Sequence, residues 1–224
     1  VKRRWLALGG AALGAALWFG GPGLGRKLEF FRVRRVEFAG MHHLKPAVAL
    51  PALGLGPDAS IFDNLDPVAG RAARIGGVQA AEAGRRFPGT LVVRLREIPP
   101  VALVPRGSRL ALMDSAGRVL PYDPAHSAPD LPIAATADAR VGRLLRRVMR
   151  LDPALFARVT TAARAGEDVV LVVDGRRLLF RPDASVEEMR AVTAVAQDLV
   201  RKGERYTELD GRFTGYVVVR GAGA

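Results

Sequence analysis

After Lys2-Arg3-Arg4 the chain runs from Trp5 to Leu24 without one charged side chain, and every residue from Trp5 to Phe19 is apolar or glycine. As a helix rising 1.5 Å per residue, such a run reaches roughly 30 Å, the thickness of the hydrocarbon core of a bilayer. Trp5 and Trp18 stand near its two ends, where indole rings favour the membrane interface, and Leu6, Leu8, Leu13, Leu17 and Phe19 supply apolar surface. A cleaved leader would share the basic start, but Gly20-Gly21-Pro22-Gly23-Leu24-Gly25 offers no clean A-x-A cleavage site. The pattern predicts a transmembrane helix over 5–24 behind a short cytoplasmic tail, 1–4. Gly10 and Gly14 form a GxxxG spacing that would let two such helices pair in a homodimer.

The charge supports the same reading. The whole chain carries +12, and residues 1–35 hold eight of the bases against one acid, so most of the excess flanks the apolar run. Cations there suit anionic headgroups, which makes the lipid bilayer the first partner. Long domains after such a helix translocate despite their charge, so the remainder is expected outside the cytoplasm, in the periplasm where an outer membrane exists. Cysteine is absent, which excludes disulfides, thiol nucleophiles and cysteine metal sites.

Beyond the anchor the periodicity predicts an α+β chain in two parts. The first, 28–98, reads β-α-α-β-β. Arg32–Phe38 begins with a strand, and Leu44–Leu53 is a short helix limited by Pro51. Asp66-Pro67 opens a second helix through Ile75, and Val78–Arg86 and Leu91–Leu95 are strands around Phe87-Pro88-Gly89-Thr90. Pro99-Pro100 marks the boundary to a β-rich α+β part, 99–220, followed by a tail, 221–224. There Asp174-Gly175 between Val169–Val173 and Leu178–Phe180 predicts a hairpin. Residues 140–151 form a helix with Val141, Leu144, Leu145, Val148 and Leu151 on one face and Arg140, Arg143, Arg147 and Arg150 opposite. Ser185 caps a longer helix to Val200 with a buried stripe from Val186 to Leu199. The last strand is Tyr216–Arg220.

Val78, Ala81, Arg85, Pro88, Gly89, Thr90, Leu91, Val93, Leu95, Glu97, Pro100, Val101 and Ala102 fit a strand, an R-x-x-P-x-T-L turn, a strand ending in Glu, then P-V-A. Asp114-Ser115-Ala116-Gly117-Arg118-Val119, Leu131-Pro132-Ile133 and the closing Asp210-Gly211-Arg212-Phe213 with Val217-Val218-Val219-Arg220 extend the likeness. This pattern resembles the FtsQ/DivIB family of bacterial cell-division proteins, departing from it at Gly76 (usually Pro) and Gly211 (usually Leu). The resemblance implies a POTRA domain over 28–98, an FtsQ-type β domain over 99–220, and a non-catalytic divisome scaffold of the inner membrane that recruits septal wall-synthesis proteins. It also implies FtsB/DivIC-like and FtsL-like partners among other divisome members.

No enzymatic constellation competes with a binding role. Adjacent His42-His43 cannot both face one metal as a helical i, i+4 pair would, and His126 lies in a polar loop. Ser108, Ser115 and Ser127 lack a nucleophile elbow, and Glu167-Asp168 are too close in sequence to oppose each other across a sugar. No cofactor, metal or catalytic residue is expected. The arginine face lacks aromatic platforms for bases, so nucleic acid is not expected either. Two alternatives stand beside the scaffold: a POTRA-bearing subunit of an export or outer-membrane assembly system, and a wall enzyme. The candidate site is the last strand and its approach, Arg212, Phe213, Tyr216, Val217, Val218, Val219 and Arg220. A terminal strand can lie at a sheet edge open to a partner strand or inside the sheet, and the residues alone leave both open.

Overall fold

The computed structural model describes residues 29–127 and 130–221, so the predicted anchor, Trp5 and Trp18 included, lies outside the described residues. Among those described, no helix is long and apolar enough to cross a membrane. The chain is mixed α+β and divides into two compact units between Glu97 and Ile98.

In the first unit a single 3-10 turn, Glu29–Phe31, precedes β1 (Arg35–Ala39), α1 (Pro46–Ala52), α2 (Asp66–Ala73), β2 (Val78–Arg86) and β3 (Thr90–Glu97). β3 lies centrally, parallel to β1 and antiparallel to β2. Its alternation is what places it there: Leu91, Val93 and Leu95 are buried, as are Ala49, Leu53, Val68 and Ala72 of the helices and their flanks. The second helix opens at Asp66-Pro67 with Leu65 at the N-cap position. The Asn64 side chain accepts the Asp66 N–H at 3.0 Å, and Asp66 itself occupies the first turn, where its charge suits the helix dipole. Gly40 is confined to glycine twice over, by a φ of 77° and by the Leu95 carbonyl oxygen 2.3 Å from where a Cβ would sit.

Glu97 closes this unit. Its carboxylate is buried and accepts the backbone N–H groups of His42, His43 and Leu44 at 3.0, 2.9 and 2.9 Å, fastening the loop before α1 to the end of β3. Glu97→Ala leaves those donors without an acceptor and is expected to destabilise the first unit by about 2–3 kcal/mol, read as a lower denaturant midpoint. An unchanged midpoint would show that water replaces the carboxylate at no cost.

The second unit is built on one nine-stranded sheet. Its strands are β4 (Ala102–Arg106), β5 (Arg109–Met113), β6 (Val119–Leu120), β7 (Ile133–Ala134), β8 (Val159–Ala165), β9 (Asp168–Val173), β10 (Arg176–Phe180), β11 (Glu208–Asp210) and β12 (Val218–Arg220). The order across the sheet is β12-β11-β10-β9-β8-β7-β4-β5-β6. Between them run α3 (Pro124–Ser127), α4 (Ala139–Leu151), α5 (Pro153–Arg158) and α6 (Val186–Lys202). The hairpin at Asp174-Gly175 forms, with both residues at positive φ as a type I′ turn requires. α6 begins with a reciprocal capping box between Ser185 and Glu188 and ends at left-handed Gly203. α4 is capped by the Asp138 carboxylate and packs Val141, Leu144, Leu145 and Val148 into the core with Leu171, Phe180, Met189, Val192 and Leu209.

Candidate site at the open edge of the second sheet

Three buried residues, Glu208, Leu209 and Asp210, form β11, which pairs in parallel with β10 and antiparallel with β12. β12 is the outermost strand on this side, and it is shorter than the sequence suggested. Tyr216 and Val217 approach it, and only Val218–Arg220 pair, opposite Asp210, Leu209 and Glu208.

The register fixes which backbone groups are free. The Arg177 N–H donates to the Thr207 carbonyl and the Gly211 N–H donates to the Leu179 carbonyl, both at 2.9 Å, so the Thr207 carbonyl and the Gly211 N–H face β10. Polar groups of successive strand residues point to opposite edges, so those of Glu208 and Asp210 turn toward β12 and meet Arg220 and Val218. Val219 lies between these two and presents its N–H and C=O away from β11. Its side chain is 43% exposed. Thr207, just ahead of β11, ties down the far end of β12 by donating its N–H to the Arg220 carbonyl at 3.0 Å.

The charged side chains of this edge are mostly committed inward. Asp210, only 1% exposed, accepts from Arg212 Nε at 2.7 Å and Nη2 at 2.6 Å, while Arg212 Nη1 reaches Asp168 at 2.8 Å. The hydrogen bonds from Arg212 hold the Asp210 carboxyl below the usual carboxylate range and, reciprocally, raise the guanidinium above its own. Arg220 lies 3.3 Å from buried Glu208, as does Arg177. Arg212, one of the candidate site residues, is the clamp between β11 and β9. Outward surface comes from the rings: Phe213 and Tyr216 stack with centroids 5.2 Å apart and planes 7° from parallel, both exposed, with Arg212 at 5.9 Å from the Phe213 centroid. Val217 packs against the core and anchors the approach to the strand.

Gly211 is where the family pattern has leucine. A Cβ here would lie 2.3 Å from Val192 Cγ2 on α6, a β-branched side chain with little rotamer freedom in a helix. Gly211→Leu is therefore expected to cost about 1–3 kcal/mol by overpacking, and Val192→Ala in the same chain to recover much of it. Additive losses in the double variant, measured by denaturant unfolding, would contradict the contact.

The other sequence candidates lie apart from this edge or do something plainer. His42 and His43 offer backbone N–H groups to Glu97. Among the described residues no group of three His, Asp or Glu side chains could hold a metal. On α4, Arg147 donates to the Asp183 and Ala184 carbonyls at 2.8 Å and Arg140 pairs with Glu167, so part of the arginine face ties α4 to neighbouring loops. Sequence reasoning missed Asp168, Glu208 and Asp210. The Asp210-x-Arg212 spacing was a visible signal, whereas Asp168, 44 positions from its partner, left none.

These features define a two-unit α+β chain whose second sheet ends in an open strand flanked by stacked rings. No family model matches the chain. It is 31% identical over 143 residues to "Cell division protein FtsQ" of Zymomonas mobilis, covering 61% of this chain and 45% of that protein. It is 29% identical over 167 residues to "Cell division protein FtsQ" of Caulobacter vibrioides, covering 72% of this chain and 52% of that protein. The chain thus spans about half the length of the curated relatives it matches. The likeness bears out the resemblance to the FtsQ/DivIB cell-division proteins that the sequence pattern carries. Among solved structures, the major extracytoplasmic domain of cell division protein DivIB from Geobacillus stearothermophilus aligns with 47% of this chain and 96% of its own, at 16% identity and a TM-score of 0.35, too loosely to carry an argument.

Proposed function

We propose that the chain is a membrane-anchored, extracytoplasmic cell-division protein that works by binding other proteins, its second unit receiving a partner strand along β12. The first unit, β-α-α-β-β in order, is read as a POTRA domain next to the membrane, and the apolar run 5–24 as the anchor that holds both units at the division site. The partners are FtsB/DivIC-like and FtsL-like proteins, through which septal wall synthesis is recruited. The observation that carries this reading is the outermost position of β12, with the backbone groups of Val219 turned outward beside the exposed Phe213 and Tyr216 rings. An added strand gains main-chain hydrogen bonds from such an edge, and the rings supply an apolar anchor next to it. The test is co-purification of the full chain from detergent-solubilised membranes. An FtsB/DivIC-like protein should follow it, and its absence from the eluate while the chain itself is recovered intact would overturn the proposal.

A further inference from the structure

The first unit carries an exposed aromatic patch that the binding edge of the second unit does not use. Phe30 and Phe87 are 58% and 59% exposed, and Phe31 and Phe62 lie between them, with ring centroids 5.1 Å (Phe30–Phe31), 4.9 Å (Phe31–Phe62) and 5.7 Å (Phe62–Phe87) apart. The patch is held to the body of the unit. Ile61 donates its N–H to the Phe31 carbonyl at 3.0 Å, Val33 to the Ala59 carbonyl at 2.8 Å, and Arg34 to the Gly89 carbonyl at 2.9 Å. Cations surround it. Arg34 lies 5.7 Å from the Phe30 centroid, and Arg34, Arg35 and Arg85 have no carboxylate partner among the described residues. The register Arg35↔Thr90 and Arg86↔Thr90 places these arginines and the Phe87 turn at one end of the sheet. The nearby acids are occupied: Arg32 reaches Glu29 and Asp58, and Arg86 holds Glu37.

Chain length says what covers this patch. Phe30 follows Leu24, the last residue of the predicted transmembrane helix, by six residues, which reach at most about 22 Å even when fully extended. If 5–24 spans the bilayer, the end of the unit that carries Phe30 cannot leave the vicinity of the headgroup layer. Exposed phenylalanines beside unpaired arginines are the chemistry that layer accepts: rings entering the acyl boundary and guanidiniums on anionic phosphates. We infer that the Phe30–Phe31–Phe62–Phe87 end of the first unit seats on the anionic membrane surface, making the unit a fixed foot on the bilayer in place of a freely swinging tether. This rests on the anchor reading above.

The chain's own tryptophans make the two separable, because both belong to the apolar run. The full chain is reconstituted in phosphatidylglycerol–phosphatidylcholine vesicles with brominated acyl chains, which quench indole fluorescence on contact. Quenching of Trp5 and Trp18 in the wild type reads the anchor. In a Trp5→Phe/Trp18→Phe background, Phe87→Trp reads the foot, and Gln79→Trp, exposed at the opposite end of β2 and about 25 Å away, is the control. The inference expects Phe87→Trp to be quenched and blue-shifted and Gln79→Trp to behave as in unbrominated lipid, with wild-type thermal unfolding in both. Quenched native tryptophans together with an unquenched Phe87→Trp, or equal quenching at 79 and 87, would overturn the foot while leaving the anchor standing. Unquenched native tryptophans would overturn both.

Discussion

Val219→Pro is expected to lower capture of an FtsB/DivIC-like partner by tenfold or more while leaving the chain folded. Proline removes the one N–H of β12 that the register turns outward, and its ring blocks the approach of another strand. The ladder to β11 runs through Val218 and Arg220 and keeps its donors. An edge strand tolerates proline on its solvent side, so the unfolding midpoint should move by less than about 1 kcal/mol in equivalent stability. Val218→Pro makes the contrast, because it deletes a donor to β11 and should lose stability as well as binding. Equal partner capture by wild type and Val219→Pro in a quantitative pull-down would mean that the edge is not the docking surface.

Arg212→Ala is expected to destabilise the second unit by about 2–4 kcal/mol, because Asp210 then stays buried with its carboxylate deprived of both strong donors. Arg220, 3.9 Å from Asp210, is too distant to replace them. The loss should be largest above pH 5. The pairing depresses the folded-state pKa of Asp210 below its unfolded value near 3.9, so its stabilising contribution is fully present above about pH 4 and fades as pH falls toward the folded value. The gap between wild type and variant, followed by urea unfolding at a series of pH values, should accordingly narrow below about pH 4. A gap that is constant down to pH 2.5 would assign the stabilisation to packing of the guanidinium instead of its charge. Arg212 also shapes the site indirectly, since it holds the end of β11 on which β12 is laid.

Local chemistry made much of this fold legible. Asp174-Gly175 announces its turn because only residues tolerant of positive φ build a two-residue hairpin, and Ser185 announces α6 because its side chain completes a box with Glu188. β3 was legible through the alternation of Leu91, Val93 and Leu95. β8 was not, although it lies within the sheet. Its Val159-Thr160-Thr161-Ala162-Ala163-Arg164-Ala165 text buries only Val159 and Ala162, so period-two hydrophobicity barely registers. α5 was missed for a related reason, since six residues give an amphipathic pattern too little length to repeat. The candidate edge was half legible. Its residues could be named from β propensity and family likeness, but edge or interior depends on the parallel pairing of β11 with β10, two strands separated in sequence by the whole of α6. The inward use of Arg212 was hidden likewise, because its partner Asp168 belongs to a strand that local patterning cannot bring alongside.

Amide hydrogen exchange of the full chain, with and without a bound FtsB/DivIC-like partner, tests the central claim most directly. The account predicts that residues 217–221 exchange fast in the free chain at the outward-facing Val219 and slow markedly in the complex, as an added strand takes up that donor. Unchanged exchange across 217–221 in a verified complex, with protection arising elsewhere in the second unit, would contradict it.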